Sequence, residues 1–175
     1  MPATATRPET PKSATAVMIT PHLVCRDAAS AIEFYKRALG ADEMRVIRAP
    51  GGGVMHAAMT LGENGSAMFF LADECPEFGN RSPLGLGGTP VTMHVHVKDC
   101  DAFFERAITA GCTVRMPLQN MFWGDRYGVL SDPYGHTWSV ATNVEQVSDD
   151  EMQRRAAACA GEMQKQIEAR RAAGH

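Results

Sequence analysis

The sequence predicts an α+β fold built from two tandem βαβββ modules and a C-terminal helix. Three observations carry that prediction. The chain writes one strand twice, "MITPHLVCRD" (18–27) and "VTMHVHVKD" (91–99). Thr20 thereby aligns with Thr92, His22 with His94 and Asp27 with Asp99. An apolar stripe at helical spacing follows each copy, and three short strand-like runs broken by glycine- and proline-containing turns follow each stripe.

Side chains alternate between the two faces of a strand. Ile19, Pro21, Leu23 and Cys25 therefore form one apolar set suited to packing under a helix, and Thr20, His22 and Val24 form the other. In the second copy Val91, Met93, Val95 and Val97 oppose Thr92, His94 and His96. The first helix is marked by Ala28, Ala31, Ile32, Tyr35 and Ala38, the second by Cys100, Phe103, Phe104, Ala107 and Ile108. Asp27 and Asp99 stand where a side-chain oxygen can accept a free N–H of the first turn, and Gly40 and Gly111 stand where the helices should stop.

The strand-like runs of the first module are "EMRVIRA", "VMHAAMTL" and "SAMFFLA", and those of the second are "TVRM", "RYGVLS" and "HTWSVAT". The Gly- and Pro-rich "CPEFGNRSPLGLGGTP" joins the modules. Ser148 and Glu151 form a capping box, and Met152, Ala156, Met163 and Ile167 give a sparse stripe. This predicts a C-terminal helix packed on the domain or on a partner subunit. The expected organisation is a disordered tail over 1–15, one domain over 16–145 and the C-terminal helix over 146–175. Within the domain, module one covers about 17–74, the linker 75–89 and module two about 90–145.

The net charge of −3 and the lack of a basic run argue against nucleic acid as a partner. No apolar run is long enough to cross a bilayer, and the start carries no apolar block of a secretory signal. The five cysteines, odd in number and without a C-x-x-C pair, read as reduced thiols of a cytoplasmic protein.

Two βαβββ modules in tandem resemble the vicinal oxygen chelate superfamily of glyoxalases, bleomycin and fosfomycin resistance proteins and extradiol dioxygenases. The resemblance covers about 17–145. "MPLQNMFWGDRYGVLSDPYGHTWSVAT" (116–142) and "ITPHLVCRDAASAIEFYKRALGA" (19–41) are similar to the PhnB-like branch. The resemblance implies a mixed sheet curled around a cavity, as in the glyoxalase/bleomycin-resistance fold, and a homodimer. It also implies a cavity between modules of one or two chains.

In metal-using members four side chains from the first and last strands of the modules chelate one divalent ion. Carried over by the strand–Asp–helix pattern and by counting from Gly65 and Gly135, those positions are Thr20, Phe69, Thr92 and Ser139. None is a usual ligand for catalytic Zn²⁺, Fe²⁺ or Ni²⁺. Two readings of the histidines follow. His22, His94 and His96 line a cavity wall as polar groups, with His56 on the same wall. Alternatively His22 and His94, joined by His56 or His96, form a displaced site for one Zn, Ni or Fe ion.

Trp123 and Arg126 admit an aromatic wall and an anion clamp near the cavity mouth, or a hairpin in which Arg126 pairs with Asp125 or Asp132. Trp138 is expected under the helix, Cys25 and Cys100 buried, and His136 exposed. The leading expectation is a protein that binds a small organic molecule without a catalytic metal or other cofactor. Its cavity would be lined by Thr20, His22, Phe69, Thr92, His94, His96, Trp123, Arg126 and Ser139. The alternative is a lyase, isomerase or transferase of the glyoxalase type. There a divalent ion polarises two adjacent substrate oxygens and stabilises an enediolate, held by His22, His56 and His94.

Overall fold

The repeated strand text folds as repeated structure. A computed structural model of the chain describes residues 18–172, so the expected tail over 1–15 lies outside the described residues. Module one contains β1 (His22–Cys25), α1 (Ala28–Leu39), β2 (Asp42–Arg48), β3 (Val54–Leu61) and β4 (Ala67–Asp73). The short α2 (Pro83–Leu86) sits in the linker. Module two contains β5 (Thr92–His96), α3 (Cys100–Ala110), β6 (Thr113–Asn120), β7 (Asp125–Ser131) and β8 (Thr137–Asn143), and α4 (Asp149–Ala172) follows. The sheets run β1-β4-β3-β2 and β5-β8-β7-β6. β1 with β4 and β5 with β8 are parallel pairs, and the other pairs are antiparallel. Among the described residues no strand of one sheet pairs with the other, so the two sheets do not close into one.

The helix ends follow the sequence. The Asp27 carboxylate accepts from Ser30 N at 2.9 Å, and that of Asp99 accepts from Ala102 N at 2.9 Å. Each helix start is also tied to the last strand of its module, by different chemistry. Asp73 accepts from the N–H groups of Ala28 and Val54, both at 2.6 Å. In module two the Thr142 hydroxyl accepts from Cys100 N at 2.9 Å and donates to Val97 O at 2.8 Å.

Two strands differ from their expected extent, β1 and β6. β1 begins only at His22, and Ile19, expected under the helix, is exposed. β6 runs past "TVRM" to Asn120, because Pro117 falls in a register shift between Met116 and Gln119 on an edge strand. There its missing N–H costs no ladder bond. In the "WGDRYG" motif, Gly124 adopts φ +95°, and its carbonyl accepts from Val144 N and Glu145 N. A Cβ at Gly128 would stand 2.8 Å from the Phe104 ring, so glycine lets α3 lie close on β7.

The modules share one core. Tyr35 of α1, Phe69 of β4 and Trp138 of β8 meet with ring centroids 5.6–5.9 Å apart. Beneath them lies Asp132, 5% exposed. It accepts from Tyr35 Oη (2.7 Å), Trp138 Nε1 (2.9 Å), Tyr134 N (2.9 Å) and His136 N (2.9 Å). Arg106 of α3 donates to the terminal carbonyls of α1, Ala38 O at 3.1 Å and Leu39 O at 2.9 Å, where a cation meets the negative end of the helix dipole.

Half of the capping box forms: Glu151 N donates to Ser148 Oγ at 3.4 Å, while the Glu151 carboxylate bonds Arg154 and Arg155. α4 is held at its start by Arg155, which bonds Glu145 and Glu151. Of the two packings expected of its stripe, on the domain or on a partner subunit, the domain takes only the first turns of the helix. Met163 and Ile167 are 59% and 39% exposed, because the helix leaves the body after its anchored turns.

Asp132→Ala leaves four donors without their acceptor and should lower unfolding stability by roughly 3–5 kcal/mol in urea titration. Tyr35→Phe removes one of those donors with its hydroxyl and should cost about 1–2 kcal/mol.

Candidate functional site

The site follows from the duplicated strand. β1 and β5 are each the edge of a sheet, and an open cleft of about 970 Å³ runs along both. Residues 18–24 and 88–95 line it, together with 65–69 and part of the linker. Thr20, His22, Thr92 and His94 are among its lining residues, together with Pro21, Leu23, Met93 and Val95 from the opposite strand faces.

Phe69 needs a correction. It borders the cleft, but it is 4% exposed and packs on Tyr35 and Trp138 in the shared core. The residue paired with His22 is Phe70, whereas His94 pairs with Ser139. The register of β4 against β1 differs by one residue from that of β8 against β5, since Phe70 lies five residues past Gly65 and Ser139 four past Gly135. Counting from the turn glycine therefore lands on opposite faces in the two modules.

The faces away from the helices carry two unlike clusters. In module one the His22, His56 and Phe70 rings meet, with His22–His56 at 5.8 Å and His56–Phe70 at 4.7 Å. In module two His94 Nδ1 lies 2.8 Å from Ser139 Oγ, and its ring stands 4.9 Å from His96 and 6.1 Å from Tyr127. His56, His96 and Ser139 stand behind the cleft histidines rather than in the lining. Burial, and then the neighbouring His56, hold the His22 pKa below its ordinary value. Burial and then His96 do the same for His94, against an opposing pull from Asp125.

Trp123 and Arg126 also stand outside the cleft. Trp123 Nε1 donates to Asp125 Oδ2 at 3.0 Å. Arg126 forms a two-pronged bond with Asp101, both contacts at 2.6 Å, rather than with the expected Asp125 or Asp132. Its donors toward an anion are thus committed to a helix carboxylate.

His136 is a second correction. Expected exposed beside the turn glycine, it is 6% exposed and borders the cleft. The four bonds to Asp132 draw the whole turn inward, and His136 Nε2 reaches Val24 O at 3.1 Å and Cys25 Sγ at 3.9 Å. A carbonyl only accepts, so Nε2 carries the proton and Nδ1 is left as an acceptor. Burial holds the His136 pKa low, with Asp132 pulling the other way, and burial pushes the Cys25 thiol up to about 12. The unmodified thiol is therefore no nucleophile at neutral pH.

The donor set at the family's chelating positions does not suit a divalent ion. Those positions, carried over from the strand–Asp–helix pattern, are Thr20, Phe69, Thr92 and Ser139. A phenylalanine offers no donor, and neutral hydroxyls are weak ligands for such an ion. Among the described residues no three His, Cys, Asp or Glu side chains gather as a metal cluster.

A family model of the Glyoxalase/Bleomycin resistance protein/Dioxygenase superfamily matches residues 15–140. This chain belongs to that superfamily. An uncharacterised protein from Mycobacterium bovis is 48% identical over 138 residues, covering 77% of this chain and 89% of its own. Among solved structures, a Pseudomonas aeruginosa protein is similar with a TM-score of 0.60 at 22% identity, covering 74% of this chain and 100% of its own. A PhnB protein from Bacillus cereus is similar with a TM-score of 0.54 at 20% identity, covering 71% of this chain and 98% of its own. Those two likenesses concern the fold. No described helix of this superfamily member is long and apolar enough to cross a membrane.

Histidines held neutral in the fold fix a pH dependence. His22, His94 and His136 have folded pKa values below the ordinary 6.5, so the unfolded chain takes up protons first on acidification. Their stabilising contribution is complete above about 6.5 and is lost as pH falls toward the lowered folded values. Urea unfolding midpoints should decline over that window, with a shallower decline in His136→Gln.

Proposed function

We propose that this superfamily member is a cytoplasmic, PhnB-like homodimer that seats a small organic molecule in its cleft without a chelated catalytic metal. One observation carries the reading. The cleft has the volume of a drug-sized ligand site, is lined mostly by apolar groups, and gathers the hydroxyls and imidazoles of Thr20, His22, Thr92 and His94. Phe69 and Trp138 form its floor, His136 borders it, and Ser139 orients the His94 ring. His96, Trp123 and Arg126 act as support behind or outside it.

The donors at the chelating positions speak for organic recognition over Lewis-acid chemistry. The "WGDRYG" and "DPYGHTW" texts support the PhnB-like branch, alongside the likeness to the Bacillus cereus protein. The dimer reading is supported by the exposed apolar residues Met18, Ile19, Leu86 and Val91 along the cleft.

Elemental analysis of protein purified without a metal-binding tag and dialysed with Zn²⁺, Ni²⁺ and Fe²⁺ should find no stoichiometric ion. About one ion per chain, lost in His22→Ala, would replace this reading with the metal-dependent lyase, isomerase or transferase. A thermal-shift screen of organic molecules should raise the Tm in wild type and leave it unmoved in Thr92→Trp, which fills the cleft. Light scattering at micromolar concentration should give the dimer mass.

A further inference from the structure

We propose that Arg81 makes the cleft selective for organic anions, an apolar body bearing a carboxylate, sulfonate or phosphonate. The inference rests on the binding reading above and names the chemical class of the ligand. Among the described lining residues Arg81 is the one side chain with a permanent charge, and no Asp or Glu joins it.

Its position is built rather than incidental. Cys75 and Asn80 exchange backbone bonds, with Cys75 N to Asn80 O at 2.8 Å and Asn80 N to Cys75 O at 3.1 Å. On the other side Ser82 is fully buried and donates to Glu74 Oε2 through its N–H (3.1 Å) and its hydroxyl (2.6 Å). Arg81 is thus carried between two anchored neighbours at the edge of the cleft. The Ser82 hydroxyl also accepts from Gly85 N at 3.2 Å, which fixes α2 as the adjoining wall.

The guanidinium is available. Glu74 is the neighbouring carboxylate, but its Oε2 is taken by Ser82 and its Oε1 faces Arg26 at 3.6 Å. Glu74 is held in its ionised form first by Ser82, and Arg81 acts on it more weakly than Arg26 does. No hydrogen bond or ion pair of Arg81 forms among the described residues, whereas Arg126 spends its fork on Asp101. The anion clamp that the sequence suggests at Arg126 falls instead to an arginine from the linker.

The rest of the lining complements that charge. His22, His94 and His136 are held neutral, so at neutral pH they add polarity without a second cation. Leu61, Met68, Phe69 and Trp138 offer an apolar bed for the body of the ligand. An anionic group can stay partly hydrated at the exposed Arg81 while the body leaves water, which avoids burying a charge.

Two fluorescent probes with a shared ring skeleton test this. Anilinonaphthalene sulfonate carries the anion, and N-phenyl-1-naphthylamine lacks it. Both should bind wild type saturably, and both should be lost in Thr92→Trp. In Arg81→Met the sulfonate probe should weaken about tenfold while the neutral probe stays within about twofold. Added NaCl should weaken the sulfonate probe in wild type but not in Arg81→Met. Unchanged thermal unfolding of Arg81→Met assigns the loss to the cleft.

Equal weakening of both probes, no change in either, or sulfonate binding that survives Thr92→Trp overturns the role of Arg81 and leaves the binding reading standing. Saturable binding of neither probe overturns both.

Discussion

The structure depends on one buried carboxylate. Asp132 sits in the turn before β8, yet its partners include the phenol of α1 in the other module. A carboxylate out of water is tolerated only when its lone pairs are filled, and here four donors fill them. The turn therefore cannot move independently of α1, and the two modules behave as one body although, among the described residues, no strand joins their sheets. The inward pull on the turn seats His136 against the carbonyl of Val24 and so closes off part of the outer edge of β1.

That coupling explains why the cleft lies where it does. The modules are locked together through Tyr35, Phe69 and Trp138 on the helix side, while the edges of β1 and β5 are left apart. The gap between the edges becomes a groove whose floor is the shared core and whose rim is the linker. Linker residues 75–89 do more than connect. By burying Ser82 and presenting Arg81, they supply the charge that neither module brings to the groove.

Much of this was legible in the sequence. The fold followed from repetition and periodicity, since the strand faces, the caps at Asp27 and Asp99 and the ends at Gly40 and Gly111 are local properties. What local reading missed was non-local. The register of Phe70 depends on how β4 pairs with β1, one residue out of step with β8 on β5, which exchanges the faces of the side chains. The burial of His136 and the pairing of Arg126 with Asp101 depend on contacts between distant segments, which carry no short-range signal. Arg81 stood in a Gly- and Pro-rich stretch that offered no periodicity to read. Its value is visible only once Ser82 and Glu74 are seen to be committed to each other.

The unlike backing of the two cleft histidines has a further consequence. His22 leans on the rings of His56 and Phe70, and His94 is tethered to a hydroxyl. If the two halves of the cleft were identical, an unsymmetrical molecule would fit equally well in two opposed poses. With one aromatic side and one hydroxyl-anchored side those poses are no longer degenerate. The duplication has thus produced a groove whose two ends differ, so that an unsymmetrical molecule laid in it would meet a head and a tail.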